Sequence, residues 1–85
     1  MTQAEIVKLV ERLLNDAGSQ YRLAFQVSKK TRKDNDWLQV FVSSDATRQN
    51  RAAERQVIAD VEELVTKRAK REILLVPVQS VRDSA

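Results

Sequence analysis

Residues 21–43 read YRLAFQVSKKTRKDNDWLQVFVS, two alternating segments on either side of a polar centre. In the first, Tyr21, Leu23, Phe25 and Val27 share one parity and Arg22, Ala24 and Gln26 the other, the period-two pattern of a half-buried strand. The centre, KKTRKDND over residues 29–36, is polar and holds the turn formers Asp34, Asn35 and Asp36. Extended patterning resumes at residues 37–43, where Leu38, Val40 and Val42 suit a core-facing side and Trp37, Gln39 and Phe41 the opposite one. The stretch therefore predicts an antiparallel hairpin.

Upstream, Thr2 followed three residues later by Glu5 forms a capping-box pattern ahead of Ile6, Val10, Leu13 and Ala17, with Val7, Leu9 and Leu14 flanking them. This is an amphipathic helix. Gly18, the one glycine in the chain, stands where a left-handed residue would close that helix, and alone it makes no glycine-rich phosphate loop.

Downstream, Ser44 or Asp45 can cap a second helix running to about Arg71, with core spacing at Val57, Val61, Leu64 and Ala69 supported by Ile58 and Val65. Between residues 46 and 56 its apolar side chains are alanines alone, so that part has little to anchor it. At 1.5 Å per residue such a helix spans roughly 39 Å against about 23 Å for a seven-residue strand, so its polar end should overhang or bend. The run ILLVPV at residues 73–78 is a third strand, apolar on both parities, and Pro77 argues for an edge position.

A shift of 51 positions lays residues 6–27 over 57–78, matching Val10 with Val61, Leu13 with Leu64, Leu23 with Leu74 and Val27 with Val78. Any two amphipathic helix–strand pairs align in this way. Taken at face value, the overlay places Leu74, Val76 and Val78 on the helix-covered side of the third strand and Ile73, Leu75 and Pro77 on the other.

The expected fold is α+β: one two-layer α-β-β-α-β domain over residues 1–85, with a polar tail at 79–85 expected to fray. Its three-stranded mixed sheet carries both helices on one face. Strand order 1-2-3 is expected, with 2-1-3 as the alternative. With 85 residues, 42% hydrophobic and 32% charged, the chain suits one small domain.

Composition excludes much chemistry. Histidine and cysteine are both absent, which removes imidazole bases, thiol nucleophiles, Cys/His metal sites and disulfides. The carboxylates fall at helix-surface or loop positions, Asp34 and Asp36 read as turn chemistry, and Ser28, Ser43 and Ser44 have no activating base. No catalytic residue, cofactor or metal is expected, and the chain is read as non-enzymatic. No apolar run reaches membrane-spanning length and the N-terminus opens a helix, so a cytoplasmic protein without membrane attachment is expected.

Two helices cover one sheet face and the chain offers none for the other. On that open face the sequence places Trp37, Phe41, Ile73, Leu75 and Pro77, an apolar patch suited to a second copy of the chain or to another protein. The plainer alternative folds Trp37 over the hairpin end and lays the tail across Ile73 and Leu75.

Lys+Arg number 15 against Asp+Glu 12, a formal charge of +3. Lys29, Lys30, Arg32 and Lys33 crowd the hairpin turn, while Lys67, Arg68, Lys70 and Arg71 suit a helix C-terminus, with Glu63 to Lys67 an i,i+4 pair. Arg48, Arg51 and Arg55 line one helical stripe near the N-terminal end, where cations are disfavoured by about 0.3–1 kcal/mol each in the first turn. A solvated charged face accounts for them. The rival function is nucleic-acid binding through Arg48, Arg51, Arg55 and the Lys29, Lys30, Arg32, Lys33 turn. In its order of elements the chain resembles a bacterial-type K-homology domain. That family's GxxG loop between two helices has no counterpart in TRQNRAAERQ at residues 47–56, so no residue role is carried over.

Overall fold

A computed structural model describes residues 1–80. Helix α1 (Gln3–Gly18) leads through a 3-10 turn (Ser19–Tyr21) into strand β1 (Phe25–Asp34), which turns into β2 (Trp37–Ser44). A second 3-10 turn (Arg48–Asn50) opens helix α2 (Arg51–Ala69), and β3 (Glu72–Pro77) closes the sheet. The strand order is β1-β2-β3, with β1 antiparallel and β3 parallel to β2. The two-layer α+β fold and the 1-2-3 order are as expected. The part of the predicted tail at residues 81–85 lies outside the described residues.

Thr2 and Glu5 form the anticipated capping box on α1. Ile6, Val10 and Leu14, spaced four apart, are fully buried and share one hydrophobic core with Leu38, Val40 and Val42 of β2, also fully buried. From α2 the buried stripe is Val57, Val61 and Val65, whereas Leu64 is 47% exposed and takes no part in it.

Gly18 corrects one expectation. Its φ of −69° and ψ of −26° are right-handed helical, so its role is not conformational freedom. A Cβ there would stand 2.8 Å from Cε2 of Phe25 and 3.0 Å from the Leu23 carbonyl oxygen, so glycine lets β1 enter close beneath the helix. The left-handed residue is Arg22, with φ 57°, at the end of the 3-10 turn. Tyr21 and Leu23 consequently precede the strand they were expected to join. Leu23 is buried all the same, its N–H donating to the Gly18 carbonyl at 2.9 Å.

Most of the polar stretch at residues 29–36 is strand, and only Asn35 and Asp36 form the turn, with Asn35 at φ 55°. Composition misleads there because the distal half of β1, an edge strand, is exposed on both faces at Arg32, Lys33 and Asp34. The ladder also slips between Val27↔Val42 and Thr31↔Val40, leaving three β1 residues opposite one of β2. Ser28 Oγ accepts the Lys30 N–H at 3.1 Å within this bulge.

The second helix begins later than its sequence suggests. Ser44 and Asp45 do not cap it: the Ser44 hydroxyl donates to the Glu54 carboxylate, and Asp45 Oδ1 accepts the Ala24 N–H at 2.9 Å. Thr47 and Asn50 instead cap the 3-10 turn that precedes Arg51. The helix ends at Ala69, where Lys70 turns left-handed with φ 55°. No helix among the described residues is long and apolar enough to cross a membrane.

Candidate functional site: the uncovered sheet face and its edges

Both helices pack on one face, α1 against β1 and α2 against β3. Register then decides what the opposite face presents. Trp37 pairs with Glu72, Gln39 with Leu74 and Phe41 with Val76, and across the hairpin Asp34 pairs with Trp37, Arg32 with Gln39 and Gln26 with Ser43. Paired residues share a face, so β3 contributes Leu74 and Val76, β2 contributes Trp37, Gln39 and Phe41, and β1 contributes polar Arg32 and Gln26. Trp37 is 44% exposed, while Gln39, Phe41, Leu74 and Val76 are half-buried.

Trp37 and Phe41 thus stand where the sequence placed them. Ile73, Leu75 and Pro77 do not. Ile73 and Leu75 are 1% and 3% exposed and pair with Leu38 and Val40 in the helix-covered core. Pro77 pairs with Val42 on that side and is exposed at the strand end, beside Arg51, Glu54, Arg55 and Ile58. The overlay at a shift of 51 positions had the wrong parity because ILLVPV is apolar in both phases. The missed signal was Glu72: a charged residue at the strand start, in phase with Leu74 and Val76, marks the uncovered side.

The far edge of β3 carries polar side chains that the sequence did not single out. Thr66 Oγ1 accepts the Ile73 N–H at 3.3 Å and lies 3.4 Å from the Ile73 carbonyl oxygen. One turn earlier on α2, Glu62 Oε2 accepts the Leu75 N–H at 2.9 Å. At Val78 the N–H points inward, donating to the Val42 carbonyl at 2.8 Å. Odd-numbered β3 residues therefore turn their amides away from β2, and Pro77, next in that series, has no N–H.

Basic residues concentrate in three places. Lys33 from β1 joins Lys70 and Arg71 around an open depression also lined by Asn35, Asp36, Thr66 and Glu72. Arg51 and Arg55 lie at the other end of α2, beside Pro77, and Arg48 precedes them. The 19-residue helix puts about 28 Å between its ends. Lys29, Lys30 and Arg32 are exposed along β1. The one ion pair among the described residues is Glu63–Lys67 at 3.2 Å, fully at the surface, and no group of three or more potential metal-ligating side chains occurs among them. Comparison with protein-family models, curated proteins and solved structures finds no match to this chain.

Proposed function

We propose that this chain is a non-catalytic interaction module that associates through its uncovered sheet face, with a second copy as partner. The carrying observation is the exposure of Trp37 beside Phe41, Leu74 and Val76 on a face that neither helix covers. A tryptophan so placed gains much by burial, and large aromatics anchor interfaces out of proportion to their number. Three strands make a face only about 14 Å wide, at the small end of specific interfaces, so the expected affinity is micromolar or weaker. Because Trp37 is the only tryptophan, its emission reports on the face directly. A blue shift on concentration supports association. A spectrum independent of concentration, and blue-shifted only when a different protein is added, moves the partner from self to non-self.

Nucleic-acid binding is the second reading, favoured by the convergence of Lys33, Lys70 and Arg71, none of which is ion-paired. It predicts oligonucleotide affinity that falls steeply between about 50 and 200 mM salt, since phosphate contacts release counterions. Its footprint would centre on those three residues. Arg48, Arg51 and Arg55 lie too far along α2 to share a contact with them, so Arg51→Ala should leave the affinity near wild type.

A further inference from the structure

The two edges of the sheet are kept from further pairing by different means. On β1 the deterrents belong to the strand itself: the bulge after Val27 and the exposed Lys29, Arg32 and Lys33. On β3 the strand's own deterrent is Pro77 at its far end. ILLV at residues 73–76 is apolar, uncharged and regular, the kind of edge that recruits another strand. What stands in the way is α2. The outward amides of Ile73 and Leu75 are taken by Thr66 and Glu62, four residues apart on one helix, and the next outward position is Pro77.

We propose that Glu62 and Thr66 form an edge lock, and that the site they close is a strand-pairing edge for β3 of a second copy. The partner is argued from the strand's own chemistry. An antiparallel β3–β3 contact across a two-fold axis would match N–H and C=O groups at Ile73 and Leu75 with their counterparts and bring no like charges together along residues 73–76, whereas β1 would set lysines against any basic strand. This edge is distinct from the uncovered face, so the inference goes beyond the function proposed above and survives or fails separately.

The test is Glu62→Ala with Thr66→Val, made in a Trp37→Ala background that suppresses association through the face without placing a charge on the β3 edge. At a dilution where the variant is monomeric, amide hydrogen exchange is expected to accelerate by about tenfold or more at Ile73 and Leu75 while Leu74, bonded to β2, keeps its protection, and to slow again at those two positions as concentration rises and the edges pair. Sedimentation at higher concentration is expected to show a dimer that the Trp37→Ala parent does not form. The pair Glu62→Gln with Thr66→Ser retains both acceptors and should behave as the parent does, which separates the lock from a mere loss of charge or of fold. Unchanged exchange at Ile73 and Leu75 in the dilute monomeric variant, or a variant that stays monomeric at high concentration, overturns the proposal.

Discussion

Gly18 lies against the ring of Phe25, so close that a Cβ would approach Cε2 to 2.8 Å. Helix propensity alone predicts that alanine at this right-handed position would stabilise the chain by about 0.8–1 kcal/mol. The contact reverses that sign. The ring and the Leu23 carbonyl would have to move, at a cost of about 1–3 kcal/mol typical of overpacking. Urea denaturation of Gly18→Ala should therefore show a net loss of stability; a gain would mean that β1 can retreat from the helix freely.

Asn15 serves both polar groups of Phe25, its Oδ1 accepting the N–H at 2.9 Å and its Nδ2 donating to the carbonyl at 3.3 Å. The same amide nitrogen also reaches the Glu11 carbonyl at 3.0 Å. Asn15→Leu leaves the first amide of β1 without its acceptor in a part-buried setting, for an expected loss of about 1–3 kcal/mol. Asn15→Asp keeps an acceptor and loses the donor, so its loss in the same denaturation assay should be smaller. Equal losses would assign the effect to shape rather than hydrogen bonding.

Acid should loosen the start of α1. The N–H of Thr2 donates to Glu5 Oε1 at 3.0 Å, and the N–H of Glu5 donates to Thr2 Oγ1 at 3.2 Å. Hydrogen bonds to the carboxylate from Thr2, first from its backbone N–H and then from its side chain, hold the Glu5 carboxyl below its ordinary value of 4.5. Since the folded value is the lower one, the cap's contribution is fully present above 4.5 and is lost as pH falls through the folded value. An NMR titration should place the Glu5 midpoint below 4.5 in the wild type and higher, though not fully restored, in Thr2→Ala, which removes the hydroxyl and keeps the backbone N–H. A wild-type midpoint at the ordinary value would show that the box does not persist in solution.

The α1 capping box, the core parity of β2 and the strand order were legible because each rests on a local signal: Thr2 with Glu5, the Leu38–Val40–Val42 alternation, and Pro77 barring a central strand. Burial misled at β1, where a run of lysines looks like a loop but continues a strand that water reaches from both sides. At β3 periodicity was silent, since every position from Ile73 to Val76 is apolar, and the face was set by pairing with β2. Gly18 was correctly singled out and given the wrong role, because close approach of Phe25 is a tertiary fact that no local pattern carries. Glu62 and Thr66 were not singled out for a similar reason: they act on backbone amides thirteen and seven residues further along, which they reach only once the chain has folded back.

The central claim concerns the uncovered face, and sedimentation equilibrium over a wide concentration range tests it most directly. The wild type should pass from monomer to dimer, and both Trp37→Ala and Val76→Lys should weaken that step while leaving the far-ultraviolet circular dichroism unchanged. A wild type that stays monomeric at the highest concentration reached, or one whose dimer is indifferent to both substitutions, would contradict the claim.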